Sequence, residues 1–184
     1  IKPIAEDMLV NIRANYQRNV SANNKKGIEM YRILEKLFLS ADSTQQIDLT
    51  KELGIPPVYS VANKDLQTEN AGVIIQVFIY GDKDGIGVFP HILDMFKNAN
   101  WKIDRNNSNW VTISSLKGKP VSLYLNKPLP EEKDEDAKAQ EALCNYLERN
   151  DLKPTITINR GHSYNAPYTI RQMFATSKIV FMGS

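Results

Sequence analysis

Val73 to Tyr80 (VIIQVFIY) is a nearly continuous apolar run dominated by β-branched and aromatic residues. Such a run suits a strand covered on both faces, which requires other layers above and below it. The chain after it keeps a strand–helix rhythm. A loop is expected over Gly81 to Gly87 (GDKDGIG), then a helix over Phe89 to Asn98 with Pro90 in its first turn, where a missing N–H costs little. Trp101 to Ile103 and Trp110 to Ser114 are expected to pair as short strands about the turn-forming Asn106 to Asn109. A strand follows over Val121 to Leu125, then a helix from about Asp134 to Asn150 with Ala139, Leu143, Tyr146 and Leu147 on one face. Thr155 to Ile158 forms the next strand, Thr169 to Phe174 a short helix, and Ile179 to Met182 the last strand. Alternation of this kind predicts an α/β fold with an open, mostly parallel sheet and helices on both faces.

The first part of the chain reads differently. Ile4, Met8, Ile12 and Tyr16 recur every four residues, and Ile28, Tyr31, Leu34, Leu37 and Phe38 form a second stripe after the polar break Ser21 to Lys26. These spacings predict two amphipathic helices. A short helical piece follows around Leu49 to Leu53, ended by Pro56 and Pro57. The polar, turn-rich stretch Ser60 to Gly72 carries the boundary, giving a helical N-terminal segment over 1–70 and an α/β domain over 71–184.

Composition removes several functional classes. With 23 Lys and Arg against 21 Asp and Glu the formal charge is +2, too small an excess for a dedicated nucleic-acid binder, and no basic stripe interleaves with aromatics. No apolar run reaches the ~20 residues of a membrane span. Cys144 is the single cysteine, so no internal disulfide forms, and a lone thiol fits a reducing compartment such as the cytoplasm. One Cys and two His do not make a structural zinc site of the usual kind. No metal or other cofactor is expected. The chain starts at Ile1 and ends on a strand with no turn after it, so it is expected to be cut from a longer protein, with any signal peptide out of view.

In a parallel sheet ligands bind beyond the C-terminal ends of the strands. Those ends carry Asp82 and Asp84, Asn126 and Lys127, Arg160 and His162, then Gly183 and Ser184. The segment TITINRGHS supplies a strand, Gly161 and His162, and SKIVFMGS supplies the next strand and the small pair Gly183-Ser184. This order resembles the caspase-like cysteine peptidases, in which the catalytic His follows one buried strand and the Cys follows the next parallel strand. The resemblance covers roughly Val73 to Ser184 in the order of its elements. It departs from the family in two respects: Ser163 stands directly after the His, where Gly is usual, with Gly161 before it instead, and the nucleophilic Cys is not among the 184 residues.

The resemblance implies a caspase-like fold and a peptide or protein substrate. His162 would be the general base beside a Cys just beyond Ser184, with backbone N–H groups near Gly161 for the oxyanion. Without that Cys the 184-residue chain would be inactive by itself. The chemistry needs such a pair because a free thiol, with a pKa near ~8.5, is a modest nucleophile until an imidazole assists it. The plain alternative makes His162 a hydrogen-bonded loop residue and the chain a non-catalytic interaction module.

The acidic loop Asp82-Lys83-Asp84-Gly85 has three readings. It resembles the nucleophile loop of haloacid-dehalogenase-type phosphatases, although Gly81 interrupts the junction with the strand and Ile86 stands where Thr is usual. As part of a peptidase pocket, Asp82 and Asp84, with Arg160 nearby, would select a basic substrate group. As a turn, it needs only Asp side chains and Gly. His91, in the first turn expected of its helix, is read as structural, and Cys144 as a small packing residue far from His162.

Overall fold

The computed structural model describes residues 2–40, 47–54, 60–68 and 72–183, with side chains from Glu6 onward. Pro56, Pro57, Asn70 and Ser184 lie outside the described residues. The chain divides into two compact units, Ile1–Ser60 and Val61–Ser184.

The first unit is helical. Helices α1 (Lys2–Ser21) and α2 (Lys25–Ser40) form a hairpin whose turn places Asn23 in the left-handed region, φ 51°. The short α3 (Leu49–Leu53) is capped by Asp48, whose carboxylate accepts from the N–H of Thr50 at 3.0 Å and of Lys51 at 3.3 Å. Ile12 of α1 is buried, and an Arg13–Glu35 ion pair of 2.7 Å joins α1 to α2 at the surface. Two packed helices cannot cover every apolar residue that they carry. Met30, Ile33 and Leu37, at positions i, i+3 and i+7 of α2, remain 50%, 39% and 42% exposed.

The second unit is an α/β layer structure built on a six-stranded sheet. In chain order its elements are β1 (Val73–Ile79), α4 (Lys83–Met95), β2 (Trp101–Asp104), β3 (Trp110–Ser115), β4 (Val121–Asn126), α5 (Glu135–Arg149), β5 (Ile156–Arg160), α6 (Ala166–Gln172) and β6 (Ile179–Gly183). The strand order is β2-β3-β4-β1-β5-β6. Strands β4, β1, β5 and β6 run parallel, as the alternation predicts, and the hairpin β2–β3 extends the sheet antiparallel from β4. The sheet is therefore mixed and mostly parallel.

Period-two alternation divides the buried residues between two faces. Val77, Ile79, Val111, Ile113, Leu123 and Leu125 pack with Leu93 of α4, with Phe89, Ile92 and Phe96 beside them. Ile74 and Tyr124 pack with Leu143 and Leu147 of α5. The second face is laced with buried polar groups, because Gln76, Thr157 and Asn159 point the same way as Ile74 and meet α5, α6 and the segment leading to β6.

One boundary differs markedly from expectation. Helix α4 begins at Lys83, six residues before Phe89, so Gly85 and Gly87 are helical and Pro90 lies inside the helix. Its start is fixed by Asp82, whose Oδ1 accepts from the Gly85 N–H at 2.7 Å. Gly85 suits this turn for its missing side chain: a Cβ there would stand 1.9 Å from the Tyr80 carbonyl oxygen. Local propensity read these glycines as loop, whereas close approach to the end of β1 is what selects Gly85.

Candidate functional site

All four parallel strands end on the same edge of the sheet, and the loops after β1 and β5 meet there. β1 is the first strand of the sheet and has neighbours on both sides: the chain goes from it to β4 and later returns to β5 and β6 on the other side. The order reverses between β1 and β5, which is where a parallel sheet opens a crevice for ligands. A cleft of about 390 Å³ lies at that point, walled by Lys83, Asp84 and His91 from α4 and by Arg160, Gly161 and His162 from the end of β5.

The loop after β5 is held from below. The Tyr80 hydroxyl lies 2.8 Å from Thr169 Oγ1 and 3.1 Å from the Asn165 carbonyl oxygen. Thr169 donates its own proton to Asn159 Oδ1 at 2.7 Å, so Tyr80 shares its one proton between the two acceptors. Asn159 Nδ2 in turn donates to the Gly183 carbonyl at 3.3 Å. One buried chain of hydrogen bonds thus links the ends of β1, β5 and β6 to α6 and to the segment that carries His162. Burial pushes the Tyr80 phenol above its ordinary pKa, which keeps it a donor.

Gly161 directly follows β5 and precedes His162. It is not among the left-handed glycines, Gly54, Gly72 and Gly118. A Cβ on Gly161 would stand 2.6 Å from Tyr80 Cδ2 and 3.2 Å from Asn165 Nδ2, so the missing side chain lets the His loop lie against the Tyr80 ring.

His162 is exposed at the cleft wall. Its Nε2 is 3.3 Å from Asp84 Oδ2, and its ring stacks on Tyr164 with centroids 5.2 Å apart and planes at 21°. The Tyr164 phenol is pushed up by partial loss of hydration and by the carboxylates of Asp82, Glu131 and Asp84. The contact between Asp84 and Nε2 leaves Nδ1 as the ring nitrogen available to another group.

The two acidic residues have separate surroundings. Asp84 is at the cleft wall, while Asp82 is the cap of α4 and is not among the cleft-lining residues. Its second oxygen, Oδ2, is buried without a hydrogen-bond partner among the described residues. The carboxylate that a phosphatase mechanism would use as nucleophile is therefore engaged by the backbone, and no group of three His, Cys, Asp or Glu able to hold a metal ion occurs among the described residues. His91 also reaches the cleft, which the sequence reading missed: moving the start of α4 to Lys83 puts His91 two turns in, on the side that carries Asp84, Val88 and Gly87 to the cleft.

Ser184 lies outside the described residues, so its distance to His162 is not part of the structure. Its neighbour Gly183 pairs with Arg160 in the parallel register of β5 and β6. Adjacent strands lie ~4.8 Å apart, so Arg160 and Gly183 stand side by side at this edge of the sheet.

Cys144 is half-buried on α5. Its sulfur accepts from Gln76 Nε2 at 3.2 Å and lies 3.8 Å from the Gln172 carbonyl oxygen, with which it makes a weak S–H contact. Burial raises its pKa, so less thiolate is present at neutral pH than in the unfolded chain. Labelling by a thiol reagent at pH 7.5 is expected to be at least tenfold slower in the folded chain than in 8 M urea. Equal rates would contradict the packing role. The sign for stability follows: the protonated thiol favours the fold below the unfolded thiol pKa, and this contribution is lost as pH rises through the higher folded value.

No described helix is long and apolar enough to cross a membrane. No family model matches the chain, and no curated protein and no solved structure is similar enough to match it.

Proposed function

We propose that this chain carries the histidine half of a cysteine-hydrolase site of caspase-like type, completed by a thiol just beyond Ser184. The observation that carries the reading is the pairing of β5 with β6 in the register Arg160–Gly183, with His162 two residues past Arg160 at the cleft. A residue two positions past Gly183 would leave the sheet at the same level. His162 is oriented by Asp84 through Nε2, which frees Nδ1 to take a thiol proton.

The steps balance without a cofactor. The sulfur attacks a peptide carbonyl while the imidazole takes the S–H proton. The carbonyl oxygen becomes an oxyanion, bound by backbone N–H groups near Gly161. The C–N bond then breaks as the imidazolium protonates the leaving amine, and water hydrolyses the thioester with the same imidazole as base.

The test begins with the residue that follows Ser184 in the parent gene. A Cys there, in the intact protein, is expected to be alkylated by iodoacetamide at pH 6.5 much faster than Cys144, with mass spectrometry locating the adduct. Another residue at that position, or a Cys there that reacts no faster than Cys144, overturns the proposal.

One observation favours a second reading, a non-catalytic interaction module. The exposed stripe Met30, Ile33 and Leu37 on α2 has the spacing with which one helix receives another.

A further inference from the structure

We propose that a second pocket, at the opposite edge of the sheet from the cleft, binds a small zwitterion: a free α-amino acid with a neutral, polar side chain. It stands apart from the proposed cysteine-hydrolase site and holds whether or not that reading does.

The pocket has a volume of about 420 Å³, within the roughly 300–1,000 Å³ usual for small-molecule sites. Thr155 directly precedes β5 and Lys178 directly precedes β6, so it lies where these parallel strands begin. Its other walls come from the chain ahead of β1, at Asp65, and from the turn after α5, at Asp151 and Lys153. Hydrogen bonds tie these segments together. Thr155 Oγ1 donates to the Leu66 carbonyl at 2.7 Å, and the Thr155 carbonyl accepts from the Lys178 N–H at 2.7 Å. Thr176 Oγ1 donates to the Pro154 carbonyl at 2.8 Å. The walls are therefore pre-formed, which spares a ligand the cost of ordering them.

The charges select the ligand. Asp151 and Lys153 neutralise each other at 2.7 Å. Asp65 and Lys178 wall the same pocket, yet among the described residues neither belongs to an ion pair, with each other or with any other group. An anion and a cation held apart across one pocket fit a ligand that brings the opposite charges, an ammonium for Asp65 and a carboxylate for Lys178. The four charged side chains sum to zero, two positive and two negative, so a third charge on the ligand would find no counter-charge. Leu152 is the one purely apolar side chain among the described lining residues, while Gln67 and Asn150 offer amide donors and acceptors. That composition suits a polar side chain on the ligand better than an apolar one.

The probe is L-glutamine, compared with Nα-acetyl-glutamine, glutaminamide, L-glutamate, L-lysine and L-leucine. Each is titrated into the isotope-labelled 184-residue chain at neutral pH and low salt, where exposed charges are least screened, and the backbone amides are followed by NMR. The amides of Leu152, Thr155 and Lys178 are expected to shift and saturate with glutamine, while that of His162 stays in place. Blocking the amine or the carboxylate is expected to weaken binding about tenfold, the usual worth of one charge-assisted hydrogen bond. Asp65→Asn should erase the penalty for the acetylated amine, and Lys178→Gln that for the amidated carboxylate. Thermal midpoints should not move, because both side chains are exposed. This crossed pattern assigns each end of the ligand to its residue. No saturable shift with glutamine overturns the proposal, as does a blocked compound that binds as tightly. Tighter binding of glutamate, lysine or leucine, or penalties that persist in both variants, overturn it equally.

Discussion

On the proposed hydrolase reading, His162→Ala in the intact protein is expected to lower peptide hydrolysis by about 10²- to 10⁴-fold, the usual worth of a positioned general acid–base group. Among the described residues the exposed ring has the Asp84 contact and the stack on Tyr164, so the fold should tolerate its loss, with the thermal midpoint moving little. The loss should fall on kcat, because the imidazole acts on protons in flight rather than on the bound peptide. Asp84→Ala is expected to give an intermediate loss, since that carboxylate orients the ring and transfers no proton itself. Its signature is a rate lowered at every substrate concentration while iodoacetamide still labels the nucleophile. Hydrolysis unchanged in His162→Ala would remove the imidazole from the mechanism and make it an ordinary loop histidine. The ordering of the two variants matters as much as their size. An Asp84 variant as inactive as the His162 variant would mean that the carboxylate takes part in the chemistry directly.

Much of this arrangement is legible in the residue order and some of it is not, for physical reasons that differ from place to place. VIIQVFIY announces a strand buried on both faces, and β1 indeed lies between β4 and β5. Parallel strands alternating with helices put Asp84, Arg160 and His162 on one edge of the sheet, and the cleft brings the three together. The start of α4 is misread because three glycines within seven residues signal a loop, while the determining fact, contact of Gly85 with the Tyr80 carbonyl, is tertiary. That shift alone hides His91, whose side of the helix depends on where the helix begins. The Tyr80–Thr169–Asn159 chain is hidden for another reason. Its first two members are 89 residues apart, and a lone Tyr or Thr carries no local sign of its partner. Asp82 carries two signals at once: a carboxylate after a strand suggests chemistry, and Asp followed three residues later by a Gly N–H is also a helix cap, the role seen in the structure.

The other large effect concerns the fork at the end of β1. The β1–β4 ladder ends at Val77–Leu125, and beyond it Asn126 takes over with its side chain. Its Oδ1 accepts from the Ile79 N–H at 2.9 Å, and its Nδ2 donates to the Ile79 carbonyl at 2.5 Å. Asn126 is fully buried, so no water can stand in. Asn126→Leu keeps the branched outline of the side chain and removes both functions. The Ile79 carbonyl retains Gln140 Nε2 at 3.3 Å, but the Ile79 N–H loses its partner inside the core. A buried donor left unpaired costs about 1–3 kcal/mol, and with the weakened carbonyl bond the total should reach roughly 2–4 kcal/mol. Urea denaturation would read this as a lower midpoint with an unchanged slope. The effect should also reach the cleft. Ile79 lies two residues before Gly81, whose N–H is fixed at 2.9 Å by the buried Asp136 carboxylate, and three before Asp82, the cap of α4. If Asn126 sets where β1 leaves β4, its loss should shift the His162 Cε1–H resonance although the two residues share no contact. A variant as stable as the parent, with that resonance unmoved, would show that β5 and α5 hold the end of β1 without Asn126.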